Sequence, residues 1–129
     1  MKEIRKMVNV YRKDGDVFWA TVDRKKLTEV CEKMRHEYGI TRVISISGND
    51  TGKVIEVIYH FEIGHGVLNL KTEVSKRSNT VDSITPIFPS ANLYERELAE
   101  MLGIKVKGHP NLKKLFLPKD INQPLRKGD

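Results

Sequence analysis

Glu95, Arg96, Glu97, Glu100 and His109 are the side chains of this chain that could carry acid–base chemistry. A proton-transfer role needs a carboxyl or imidazole whose pKa lies near the working pH. The three glutamates fall in the first turns of an expected helix, in an exposed setting. Charge pairing and the helix dipole there keep them ionised, which is wrong for a general acid. His109 has neither a nucleophile nor a paired acid near it in sequence, so a structural use is expected. His60 and His65 raise the question of a metal, with Glu62 on the same strand face as His60. One histidine falls on a strand and the other in a turn, with no cysteine nearby, so the ligands do not converge. Cys31 is a single thiol and cannot close an internal disulfide or hold a cluster or structural zinc. It falls on an apolar helix face, as an inert buried thiol does. Nucleophile elbow, phosphate loop and dinucleotide fingerprint are all missing. The expectation is a chain with no catalytic residue, no metal and no cofactor of its own.

The charged residues need a helix to hold them. Asn92 suits an N-cap, and Glu95 lies three positions on, where a capping-box carboxylate would reach back. Tyr94, Leu98, Met101 and Leu102 form one apolar stripe. Gly103 supplies a left-handed stop, and Ile104 can fold back on the last turn. A helix over 93–102 is predicted. Arg96 and Glu100 stand at i, i+4, a spacing that pairs side chains. From the residues alone two readings stay open. Either the helix carries a solvated charged face, or its charges lock it to a second surface.

Earlier in the chain, 7–12 alternates, 17–22 is β-branched and aromatic, and Asp14-Gly15 between them signals a hairpin. Ile4, Met7, Val8 and Tyr11 also fit one helical stripe, an alternative for the first segment. Asp23 can cap a helix over 24–38 with Leu27, Val30, Cys31, Met34 and Tyr38 inward, stopped by Gly39. Strands are expected at 41–47, 54–63 and 67–74, with a turn cluster at 48–52. The 75–80 stretch reads as loop, and Thr80 could cap a single turn through Ile84. Ile87 and Phe88, beside Pro86 and Pro89, could latch onto the core or onto a partner. The fold class is thus α+β. It has an antiparallel sheet of about five strands (hairpin, helix, three-stranded meander), a covering helix, a charged second helix and an extended basic C-terminal tail.

The chain has 129 residues, one domain by size, with 39% hydrophobic and 31% charged residues. The net charge of +6 is concentrated at one end. From Lys105 onward there are seven Lys+Arg against two Asp+Glu, and sixteen against fifteen before it. We divide the chain into an α+β unit over 1–104 and a basic tail over 105–129. The tail sets Leu112, Leu115, Phe116 and Leu117 among lysines, with a short helical turn plausible at 111–116. Large apolar residues and cations with few internal contacts call for another surface. No stretch reaches the ~20 apolar residues of a membrane span, and Met-Lys-Glu-Ile-Arg-Lys is not followed by an apolar signal region. A cytoplasmic chain is expected, held at a membrane by its partners.

A multi-part pattern goes further. Glu95-Arg96-Glu97, Glu100, Gly103-Ile104, Gly108-His109-Pro110 and Pro124-Leu125-Arg126-Lys127 together resemble the signature of the 30-kDa (C) subunit of respiratory complex I. That family extends to membrane-bound energy-converting [NiFe] hydrogenases. The lead-in from Ser83 through Pro86 to Ala91-Asn92 is similar too. Departures are Leu93-Tyr94 where many members have a tryptophan, Glu100 for a common aspartate, and Leu102 for a frequent phenylalanine. The compact form is more like archaeal or hydrogenase-type members, where reduced ferredoxin or another low-potential donor stands beside NADH.

The resemblance implies a non-catalytic peripheral-arm subunit that scaffolds a large catalytic subunit, 49-kDa-like or hydrogenase-type, alongside an Fe–S small subunit. Electron transfer in such a complex is coupled to ion translocation. Fe–S clusters, and NiFe, FMN or quinone, would belong to the partners, at the cytoplasmic face of the membrane. It implies partner contacts at Glu95, Arg96, Glu97, Glu100, Gly103, Gly108, His109, Pro110, Leu115, Phe116, Leu125, Arg126 and Lys127. Arg96 and the lysines would meet acidic groups, and Leu115 to Leu117 an apolar groove. The competing class is a small basic nucleic-acid-binding module. The charge fits it, but apart from Phe116 the tail lacks aromatics interleaved with its cations.

Overall fold

The computed structural model describes residues 6–110. Strand β1 (Val8–Asp14) and strand β2 (Val17–Val22) form the expected hairpin, closed at Gly15, whose φ of 61° only glycine adopts without cost. Lys6 and Met7 are helical, so the strand alternative takes this segment from Val8 onward. Asp23 does act as a cap, accepting from Lys25 N–H at 2.9 Å, but the turn it starts is 3-10 (Arg24–Lys26). Helix α1 follows over Leu27–Tyr38 and ends at left-handed Gly39. Its inward residues are Leu27, Val30, Cys31 and Met34, as the 3.6-residue spacing requires.

Strand β3 (Val43–Asp50), strand β4 (Val54–Ile63) and strand β5 (Gly66–Ser75) make the meander. The expected turn cluster at 48–52 begins too early. Gly48 and Asn49 stay in the ladder, and Asp50 still pairs with Ile55. Asp50 is buried, accepts from Gly52 N–H at 2.8 Å, and lies 3.3 Å from Lys76 Nζ. That pair ties the β3–β4 turn to the chain beyond β5.

The sheet order is β1-β2-β5-β4-β3. All neighbours are antiparallel except β2 and β5, which run parallel from Val17↔Val67 to Thr21↔Lys71. The sheet is therefore mostly antiparallel rather than wholly so. The cause is the α1 crossover, which carries the chain across the face before the meander brings β5 back beside β2. Ala20, Val22, Ile55, Val57, Tyr59, Phe61, Leu68, Leu70 and Val74 line the buried face.

Beyond β5 the expected loop and turn are a second unit. Strand β6 (Thr80–Asp82) precedes a 3-10 turn (Pro89–Ala91), helix α2 (Asn92–Leu102) and strand β7 (Lys105–Lys107), which pairs parallel with β6. Phe88 is buried and its ring lies 5.3 Å from that of Phe61, so the Ile87-Phe88 latch closes on the core. The packed structure thus continues past Ile104, with Val106 in the core. The short helical turn expected at 111–116 lies outside the described residues.

Helix α2 lies over β3, where Gly48 leaves room for it. A Cβ on Gly48 would sit 2.6 Å from Leu98 Cδ1 and overlap Leu102 Cδ1. Gly48→Val should cost about 1–3 kcal/mol by overpacking. Leu102→Ala alone should cost about 2–5 kcal/mol, and the double variant less than the two together. Urea unfolding of all three measures this. Strict additivity would show that Gly48 does not set the seat of α2.

Candidate partner-docking site

Local rules form α2 but do not cap it as expected. Asn92 is itself helical, and the N-cap position falls to Ala91, which makes no side-chain cap bond. The first turn is entered from the 3-10 turn instead, with Pro89 fixing φ at its start. This frees Glu95 from the capping box. Gly103 ends the helix in the left-handed conformation, and Ile104 is buried behind it, as predicted.

Glu95 turns inward and is 1% exposed. Ser83 Oγ–H and Thr85 Oγ1–H each donate to its Oε1 at 2.6 Å, and Ile84 N–H donates to Oε2 at 2.8 Å. A carboxylate can be held without water only if donors replace its hydration, and these three do so. Ser83 N–H in turn donates to the Lys107 carbonyl at 2.8 Å, which docks the same segment on β7. His109 reaches this knot from the other side. Its side chain is fully buried, its Nε2 donates to the Asn92 carbonyl at 3.0 Å, and it lies 4.0 Å from Glu95 Oε1. At the far end of α2, Asn79 takes a left-handed φ of 54° and its side-chain amide donates to the Gly103 carbonyl. The β6–α2–β7 unit is fastened at both ends by polar side chains.

The structure therefore divides the residues singled out in the sequence. Glu95 and Glu100 are buried, at 1% and 7% exposure, not exposed as expected. Both are buried because the helix packs with more than its apolar stripe. Arg96 faces outward in part, and Glu97 is exposed. Among the described residues Arg96 makes no ion pair, so the i, i+4 pair with Glu100 does not form, and its Nε is buried without an acceptor. Leu93, one turn earlier, is 47% exposed. Leu93, Arg96 and Glu97 at i, i+3, i+4 share one outward face. Gly108 and Pro110 are exposed at the end of the described chain, and Gly108 has a φ of 84°. Leu115, Phe116, Leu125, Arg126 and Lys127 lie outside the described residues.

Sequence reasoning missed Ser83, Thr85, Asn79 and Tyr59. Ser83 and Thr85 carried a faint signal, since hydroxyls flank an apolar residue with period two, but nothing local links them to a glutamate twelve and ten residues on. Both ring nitrogens of His60 are engaged. Ser47 Oγ–H donates to its Nε2 at 2.7 Å, and its Nδ1 donates to Asn69 Oδ1 at 2.6 Å, spanning three strands. Among the described residues no three His, Cys, Asp or Glu side chains come together to hold a metal.

Cys31 and Tyr59 are buried close to Glu95. Burial first, and the Glu95 charge second, push both the Cys31 thiol and the Tyr59 phenol above their usual ranges. Both groups are neutral when protonated, so the folded state holds their protons more tightly than the unfolded one. Their contribution to stability is complete at neutral pH and falls as pH rises past the free-thiol value of about 8.5. Thermal midpoints should drop above that pH, and Cys31→Ala should flatten the drop. A disulfide reagent should modify Cys31 only in denaturant; rapid labelling of the native chain would contradict its burial.

Comparison with known proteins agrees with the architecture. The family described as respiratory-chain NADH dehydrogenase, 30 Kd subunit, matches residues 20–128. The chain is 39% identical over 114 residues to the C subunit of the F(420)H(2) dehydrogenase of Methanosarcina mazei, covering 84% of this chain and 72% of that protein. It is 46% identical over 59 residues to the C/D subunit of the NADH-quinone oxidoreductase of Photorhabdus laumondii, covering 45% of this chain and 10% of that longer protein. In fold it matches a chain of the membrane-bound sulfane sulfur reductase, an archaeal respiratory membrane complex. There the TM-score is 0.76 at 19% identity, over 97% of this chain and 76% of that one. A trypsin-resistant fragment of Nqo5 matches with a TM-score of 0.72 at 22% identity, over 86% of this chain and 95% of the fragment. With a family match over most of its length and a relative at 39% identity, this chain belongs to the 30-kDa subunit family of respiratory-chain NADH dehydrogenases.

Proposed function

We propose that this chain is a non-catalytic, peripheral-arm subunit that docks on the large catalytic subunit of its complex through the outward face of α2 and the basic segment after Pro110. Family membership makes it a peripheral subunit of an NADH:quinone-like oxidoreductase complex. The observation that supports the docking face is Arg96. A guanidinium with a buried Nε and no ion pair among the described residues is costly to hold for its own fold. Arginine is suited to a bidentate, partly desolvated carboxylate on a second protein. Leu93 beside it supplies exposed apolar area, and Glu97 an acid for a partner cation.

The partner is a D-type or hydrogenase-type large subunit, with an Fe–S small subunit next to it. One relative's name joins C with D over a protein of which the matched segment is a tenth, which ties the two in one polypeptide. Another relative's name specifies F(420)H(2) as donor where the family description specifies NADH. A domain shared by complexes with different donors is not the part that binds the donor. The Fe–S clusters, and NiFe, FMN or quinone, sit on the partners, and this chain orders them for electron transfer coupled to ion translocation. No helix among the described residues is long and apolar enough to cross a membrane. The chain is held at the cytoplasmic face through its complex.

Co-purification with the co-expressed large subunit tests this. Arg96→Ala with Glu97→Ala should reduce recovery about tenfold or more, while Glu62→Ala, at an exposed position that alternates with buried Phe61 on β4, should leave it unchanged. Equal recovery of both variants would remove α2 from the interface. The isolated chain should show no turnover with NADH or reduced ferredoxin and a quinone; robust activity would overturn a non-catalytic role.

A further inference from the structure

Glu95 sits one residue from the proposed contact but cannot be part of it, because its carboxylate is buried and both oxygens are engaged. A carboxylate is an expensive way to fill that volume. A buried leucine or methionine would pack there without the desolvation cost, so the stability of the fold does not by itself call for an acid. What an acid adds is direction. Three donors from one segment, accepted at two oxygens of one side chain, fix both the axial position and the rotation of α2 against Ser83-Ile84-Thr85.

That rotation matters to the outward face. A turn of ~20° on a helix about 5–6 Å in radius moves a side-chain tip ~2 Å, enough to break a bidentate contact at Arg96. The same knot also fixes where the chain leaves the domain. His109 donates to the Asn92 carbonyl in the first turn of α2 and packs beside Glu95, so Pro110 is placed relative to that turn.

We propose that Glu95 is the positioning residue of the docking surface: it sets the angle of Leu93, Arg96 and Glu97 and the exit of the chain at Pro110 as one unit. The inference rests on the docking function proposed above. It assigns to a residue that never touches the partner a share of the affinity for it.

The test uses the full chain and the immobilised D-type large subunit of the same organism's complex. Dissociation rates are read at a temperature where circular dichroism shows every variant folded. The Ile84 amide resonance reports the carboxylate contact. Arg96→Ala should weaken binding at least tenfold. Glu95→Gln keeps the volume but offers one acceptor and a donor to three donors. It should shift the Ile84 resonance and weaken binding about tenfold through faster dissociation. Thr85→Val removes one donor and should weaken binding about threefold, and it carries the test if Glu95→Gln does not fold. The Glu95→Gln/Arg96→Ala double variant should be within about twofold of Arg96→Ala alone, since a misplaced and a missing guanidinium are the same loss. A purely structural Glu95 would lower the thermal midpoint and leave the affinity of the folded protein intact. Wild-type binding by both Glu95→Gln and Thr85→Val, or losses that multiply in the double variant, would overturn the positioning role. Wild-type binding by Arg96→Ala would instead remove the docking function on which it rests.

Discussion

A carboxylate inside a protein must be supplied with donors, and in this chain that requirement shapes the stretch from β6 to β7. Ser83, Ile84 and Thr85 supply them to Glu95. To present two hydroxyls and an amide to one side chain, the backbone has to leave β6 and turn sharply at 84–88. There the amides of Ile87 and Phe88 both donate to the Ile84 carbonyl. That turn drops Phe88 onto Phe61 and brings the chain to Pro89 in position to start a helix. The acid, the turn, the aromatic latch and the helix start are consequences of one constraint. Each is replaceable separately only at the cost of leaving a buried donor or the acid itself without a partner.

The two sheets solve different problems. The five-stranded sheet buries apolar area over α1 and relies on alternation, so its register follows from its own sequence. The β6–β7 pair is too short to be stable alone. It persists because α2 covers it and because side chains close both ends, Asn79 on the Gly103 carbonyl and His109 on the Asn92 carbonyl. Asn79 is the single non-glycine residue with positive φ among those described, and asparagine is a side chain that tolerates that region. Its amide uses the local strain to hold the end of α2.

How far the sequence could be read follows the same division. Helix α1, the hairpin and the long strands β4 and β5 are legible because their signals are local and periodic. The parallel β2–β5 contact was not, since strand direction across a crossover is settled by which neighbour the returning chain meets. Asp50 looked like a turn residue because Gly48-Asn49-Asp50 is turn-rich, yet its burial against Lys76 keeps it in the ladder. Around α2 the stop at Gly103 was readable, but the start was not. Asn92 and Glu95 have the spacing of a capping box, and tertiary donors outcompeted the cap. The pattern from Glu95 to Lys127 named the family correctly while hiding what its first residue does, because a motif gives spacing and not the side of the helix that faces in.

Neighbouring charges with opposite fates give the arrangement its meaning. Glu95 is saturated inside the chain, and Arg96 has no ion pair among the described residues. Consecutive positions on a helix point about 100° apart, so one can anchor the helix while the next is offered outward. A docking surface contributes by being held at a fixed angle, and angle is what apolar packing alone specifies poorly. Buried polar contacts, each needing a particular geometry, specify it well. For the docking role proposed above, the polar knot under α2 belongs together with Arg96 on its outward face: the interior bonds would remove freedom that docking would otherwise have to remove, so that less of the interface energy would be lost to ordering.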